Sequence, residues 1–233
     1  MSLVIKGLQK TSLVDYPGKI ACTIFLPNCN FRCGFCHNKD LVINPDKLES
    51  IDEKKLLDFL KERKKWIEGI CITGGEPLLY KEITNFLKKV KEFGYAIKID
   101  TNGTNPELIS ELIKEKLVDF IAMDIKNSFE RYNETAGTNV SIEKIKKSIE
   151  IIKNSKIDYE FRTTVVPGLH RTEDIKKIGE ITKGCKKLVI QNFRADENVI
   201  DARYKNHKAF SRKELEEFKE ILKPYSKSVE IRT

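Results

Sequence analysis

The chain has 233 residues, 40% of them hydrophobic, with 43 Lys and Arg against 35 Asp and Glu and a formal net charge of +8. This length suits one substantial domain with room for a cavity, and apolar residues run along all of it, which argues against two separate cores. No apolar run approaches a membrane span, the opening MSLVIKGLQK lacks the parts of a signal peptide, and the lysines alternate with glutamates as on a solvated helix face, so a cytoplasmic location is expected and a nucleic-acid partner is not.

From Ile20 onward, short β-branched runs alternate with longer stretches of helical period, the pattern of βα units around a parallel sheet. Strands are predicted at Ala21–Leu26, Ile70–Thr73, Ala96–Asp100, Phe120–Ile125, Tyr159–Val166 and Lys187–Asn192, with a last short extended piece at Val229–Ile231. Helices are predicted between them at Glu53–Trp66, Lys81–Phe93, Pro106–Glu115, Ile142–Asn154, Glu173–Thr182 and Arg212–Leu222. Ser50-Ile-Asp-Glu and Ser211-Arg-Lys-Glu have the spacing of capping boxes. No repeat or Gly/Ser linker interrupts the series, so the expectation is one domain over 1–233, with a core at about 19–192 and an added helix and strand over 211–231.

In such a sheet the chain turns at the carboxyl end of each strand, and binding loops gather there. Cys29 to Cys36 follows the first predicted strand and Gly74-Gly75-Glu76-Pro77 the second. Asp100-Thr101-Asn102-Gly103 ends the third, and Asp124-Ile125-Lys126 ends the fourth.

Of the six cysteines, Cys29, Cys33 and Cys36 lie within eight residues, whereas Cys22, Cys71 and Cys185 stand among apolar neighbours and read as small buried side chains. Closely spaced thiolates suit an iron–sulfur cluster or a soft metal, and three of them leave one coordination position open. A structural zinc site would ask for a fourth ligand, for which only the adjacent His37 is close. The paired glycines of GGEP let the main chain approach a ligand, although the same run alone also reads as an ordinary strand-to-helix turn. Asp100, Asp124 and Lys126 offer both signs of charge to a ligand, and alone they read equally as turn-capping aspartates and a surface lysine. Arg162 is unusual in a covered parallel strand.

The Cys29-x3-Cys33-x2-Cys36 spacing, with aromatic Phe35 just before the last cysteine, resembles the defining motif of radical S-adenosylmethionine (SAM) enzymes. The resemblance implies an α/β fold, a partial (β/α)6 TIM-like barrel of parallel strands. It also implies that Cys29, Cys33 and Cys36 bind three irons of a 4Fe–4S cluster whose fourth iron is chelated by SAM, with Phe35 and His37 bordering the adenosyl group. GGEP resembles the family's second motif, in which Gly74, Gly75 and Glu76 would receive the methionyl ammonium.

Asp100-Thr101-Asn102-Gly103 and Asp124-Ile125-Lys126 are similar to the DTNG and DxK motifs of glycyl-radical-enzyme activases, which implies that Asp100, Asp124 and Lys126 hold the SAM carboxylate, directly or through a cation, with Thr101, Asn102 and Arg162 as further cofactor contacts. Lys10 to Gly18 resembles the opening of anaerobic ribonucleoside-triphosphate reductase activating proteins, with Tyr16 where related activases carry a glycine. Many activases place a SAM-binding histidine after the sixth strand; here Ile190-Gln191-Asn192 has none, so either Gln191 substitutes or that contact differs.

The implied function is reductive cleavage of SAM to a 5′-deoxyadenosyl radical that takes a glycine hydrogen. The implied partners are a glycyl radical enzyme such as anaerobic ribonucleotide reductase and a one-electron donor such as flavodoxin or ferredoxin. Two other readings share some of these features: a radical SAM enzyme acting on a small molecule or RNA base, and a non-catalytic zinc or iron–sulfur binding module.

Overall fold

The computed structural model describes residues 3–233. Its strands form one sheet in chain order: β1 (Gly7–Ser12), β2 (Ala21–Leu26), β3 (Gly69–Gly74), β4 (Ala96–Thr101), β5 (Phe120–Asp124), β6 (Asp158–Val165), β7 (Leu188–Asn192) and β8 (Val229–Arg232). β1 runs antiparallel to β2, and every later neighbour is parallel.

Each parallel crossover carries helix: α1 (Lys39–Ile43) and α2 (Glu53–Arg63), then α3 (Ile83–Glu92), α4 (Pro106–Lys114), α5 (Tyr132–Ala136) with α6 (Ile142–Lys153), α7 (Thr172–Ile181) and α8 (Arg212–Leu222). Among the described residues no helix is long and apolar enough to cross a membrane.

Period-two alternation decides which strand residues meet the helices. On β2, Cys22, Ile24 and Leu26 are wholly buried, while Thr23 and Phe25 on the other face border a cavity. The helices answer with apolar stripes, as on α3, where Ile83, Phe86, Leu87 and Val90 recur at helical spacing and are buried. The sheet curls, because inward side chains of β2 through β7 border that same cavity.

The floor of the barrel is ionic. Glu160 on β6 has no exposure, and Arg232 on β8 grips both its carboxylate oxygens at 2.7 Å, while Lys187 reaches Glu230 at 2.5 Å.

Several expectations need correction. β1 was not predicted: it is an edge strand of mostly exposed polar residues, with no alternation to reveal it. The extended piece near residue 229 is β8, a seventh parallel strand beyond the six expected. α1 and α5, of five residues each, are too short to show a helical period. α2 stops at Arg63, and Trp66 lies beyond it, 61% exposed. The Ser50 capping box does not form; Asp52 caps α2, accepting from Lys55 N–H at 2.9 Å. The Ser211 box does form, with both arms present.

Candidate active site

The loops after β2 to β5 surround one cavity of about 470 Å³, which inward residues of β6 and β7 complete, and every cluster or SAM ligand expected from the sequence borders it. The cysteine loop leaves β2 and is stitched on two sides. Asn28 N–H donates to Leu41 O at 2.8 Å, and Asn28 O accepts from Glu76 N–H at 2.7 Å. That close approach leaves no space for a side chain at Gly75, where a Cβ would sit 1.6 Å from Asn28 O. Gly74 adopts φ +116°, and a Cβ there would lie 2.3 Å from Leu26 O.

Cys33 is buried, and Cys29 and Cys36 are half-buried. Burial pushes the Cys29 thiol up to about 12 and the Cys33 thiol to about 11, and raises Cys36 as well, so the metal-free loop holds its protons and loading a metal must displace them. Among the described residues no three His, Cys, Asp or Glu side chains converge closely enough to hold a single metal ion. A four-iron cluster asks for something else, one thiolate on each of three irons, and three thiols spaced along one cavity wall fit that donor set. Asn102 extends its amide to Asn30 Oδ1 at 2.7 Å and lies 3.9 Å from Cys29 Sγ, tying the DTNG turn to this loop.

Glu76 is 2% exposed and accepts three hydrogen bonds: from Thr101 Oγ1 and Asn102 N–H at 2.7 Å each, and from Leu78 N–H at 3.1 Å. Burial nevertheless pushes its carboxyl up to about 7, against the pull of those donors. A raised carboxyl means that the fold favours the proton, so metal-free stability should fall as pH rises from the ordinary glutamate range toward 7. Thermal melts of the metal-free protein should show this slope, and Glu76→Gln should flatten it.

The opposite wall is a chain of alternating charge. Arg162 lies between Asp100 and Asp124, 3.0 Å from each. Lys98, 2% exposed, pairs with Asp100, and Lys126 pairs with Asp124 at 3.0 Å. Burial acts to raise both carboxyls, but Arg162 and the adjacent lysines outweigh it; Asp100 is lowered, and Asp124 falls to about 2. Cys71 belongs to this chain, its sulfur 3.5 Å from Lys98 Nζ.

His170, which the sequence reading passed over, fixes the DIK turn from behind. Val166 N–H donates to its Nδ1 at 3.1 Å, so the proton resides on Nε2, which donates to Lys126 O at 2.8 Å. Gln9, Asp15 and Asn38 also border the cavity. Thr23 Oγ1 holds Asp15 at 2.6 Å, and Asn38 donates to Gly74 O at 2.6 Å.

Residues 23–181 match the family model of the Radical SAM superfamily. The chain belongs to that superfamily, and its cofactors are a 4Fe–4S cluster and S-adenosylmethionine. Within it, the chain is an enzyme homologous to the glycyl-radical enzyme activating enzymes.

It is 36% identical over 239 residues, covering all of this chain and 97% of the relative, to MJ1227 of Methanocaldococcus jannaschii, whose name assigns it provisionally to those activating enzymes. It is 30% identical to the pyruvate formate-lyase-activating enzyme of Clostridium pasteurianum over 193 residues, 79% of this chain and 78% of the relative. Among solved structures, Streptococcus suis SuiB bound to S-adenosylmethionine matches 91% of this chain with a TM-score of 0.66 and 17% identity. This chain spans only 51% of SuiB, and at that identity the likeness concerns the fold alone, which is the α/β barrel expected from the sequence.

Proposed function

We propose that this cavity is where both cofactors bind, and that the chain activates a glycyl radical enzyme, with anaerobic ribonucleoside-triphosphate reductase the leading candidate. The supporting observation is convergence: three thiols, the GGEP turn and the Asp–Arg–Asp–Lys chain border one cavity. When bound and reduced, the cluster and SAM supply a 5′-deoxyadenosyl radical.

The protein's own residues bind and orient. Cys29, Cys33 and Cys36 hold the cluster. Glu76 with Gly74 and Gly75 receives the ammonium end of SAM, and Lys126 and Arg162 face its carboxylate, held in place by Asp100 and Asp124. Thr101 and Asn102 fix Glu76, Phe35 and His37 border the adenosyl group, and Gln191 offers an amide where many activases use histidine. Asp15, in the Lys10–Gly18 segment that carries the activase resemblance, borders the same cavity, which supports a role for that segment beside the partner's glycyl loop. On this reading the chain is a single radical SAM domain that works in the cytoplasm with a flavodoxin or ferredoxin as donor.

The test incubates the reconstituted, reduced protein anaerobically with SAM and purified anaerobic ribonucleotide reductase, and records the paramagnetic resonance spectrum. A glycine-centred doublet is expected. SAM cleavage without a doublet, on this partner and on a pyruvate formate-lyase alike, would move the substrate to another class.

A further inference from the structure

The connection from β7 to α8 is long for a compact domain, and its only regular element is the short 3-10 turn Ala202–Tyr204. Instead of crossing open surface, it doubles back over the cysteine loop. Asp201 N–H donates to Gly34 O at 2.8 Å. The Tyr204 ring fills the space where a Gly34 side chain would be, 2.7 Å from the position of its Cβ.

Around this contact lies an aromatic layer. Phe35 meets Tyr204 and Phe193 edge-on, with centroids 6.2 and 6.4 Å apart, and His37 stacks on Phe193 at 17°. His37 Nε2 pairs with Arg194 O at 2.7 Å, and His207 Nε2 with Pro167 O at 2.8 Å, so the segment is fastened at both ends. On the other side of Cys33, Arg32 N–H donates to Ala136 O at 2.8 Å, and Gly137 packs so closely that a Cβ would lie 2.2 Å from Arg32 O. Cys33 therefore stands between two backbone grips, at Arg32 and at Gly34.

We propose that the segment from Phe193 to Phe210 is a clamp on the cysteine loop that closes one face of the cluster site against water and oxygen, with Tyr204 as its positioning residue. The inference rests on the cysteine loop holding the cluster. Tyr204 acts through packing on Gly34 and needs its ring, not its hydroxyl. Tyr204→Phe keeps that contact, whereas Tyr204→Ala opens a gap beside Gly34. Gly34→Ala attacks the same contact from the other side.

The experiment reconstitutes the unaltered protein, Tyr204→Ala, Tyr204→Leu, Tyr204→Phe, Gly34→Ala and the Gly34→Ala/Tyr204→Ala double variant anaerobically, admits air, and follows the decay of the cluster's visible absorbance. Tyr204→Ala and Tyr204→Leu should lose the cluster roughly tenfold faster, the scale of change seen when a group supporting a metal ligand is removed. Tyr204→Phe should decay like the unaltered protein. Gly34→Ala should also speed decay, but add little on top of Tyr204→Ala, because both remove one contact. Decay of Tyr204→Ala at the unaltered rate, or of Tyr204→Phe at the faster rate, would overturn the clamp. Failure of the unaltered protein to take up a cluster at all would instead overturn the cluster assignment on which it rests.

Discussion

Replacing Cys33 by Ala is expected to abolish SAM cleavage, lowering 5′-deoxyadenosine formation by at least about a thousandfold, or about 4 kcal/mol in barrier. Cys33 is the buried member of the triad, and its backbone is held between the grips at Arg32 and Gly34. Iron content and visible absorbance should fall with it, because two thiolates hold a four-iron cluster poorly. Cys22→Ala and Cys185→Ala, which remove buried sulfurs remote from the cavity lining, should keep both cluster and activity. Cys71→Ala loses its contact with Lys98 and should still keep the cluster. Parallel measurement of iron, absorbance and product across these variants separates ligand loss from general destabilisation.

Arg162→Met should be the most damaging substitution outside the cysteines. Its guanidinium lies 3.0 Å from both Asp100 and Asp124, and its removal leaves two half-buried carboxylates with only the lysines to offset them. Breaking a buried pair from one side costs about 3–5 kcal/mol, so denaturant midpoints should drop accordingly.

The pH dependence has a definite sign. In the unaltered protein both aspartates are depressed, Asp124 to about 2, so their contribution is present above the ordinary carboxylate value and is lost as pH falls through the folded value. Without Arg162, the strongest of the charges that lower them, that depression weakens. The stability gap between variant and unaltered protein should then be widest near neutrality and narrow as pH falls from about 4 toward 2. SAM binding should weaken as well, since the variant presents unbalanced negative charge toward the SAM carboxylate.

Much of the site was legible because strand-end loops carry it. Period-two and helical patterns located the parallel strands, and each strand end then delivered its motif to the same rim. Arg162 stood out for the same reason, a long cation in a strand that should be covered. Lys98 and Glu160 were open to identical reasoning, since they alternate with Asp100 and Arg162 on one face, yet an interior charge reads as surface until its partner is known. Glu160 finds that partner in Arg232, seventy-two positions away, and no local pattern links the two.

The features that escaped were those fixed by tertiary contact. β1 is an edge strand paired only through its neighbour, and α1 and α5 are single turns. Tyr204 and Gly34 meet because a long connection folds back, and only Gly34's lack of a side chain hinted at a close neighbour. His170 is a buried ring defined by two backbone contacts, for which the sequence carries no motif.

Reductive cleavage of SAM in this cavity is tested most directly by product analysis. The protein is reconstituted with iron and sulfide without oxygen, reduced by one electron, and mixed with SAM. The unaltered protein should yield 5′-deoxyadenosine and methionine in equal amounts, and Cys33→Ala neither. A reduced, cluster-bearing protein that binds SAM and yields neither product would contradict such cleavage.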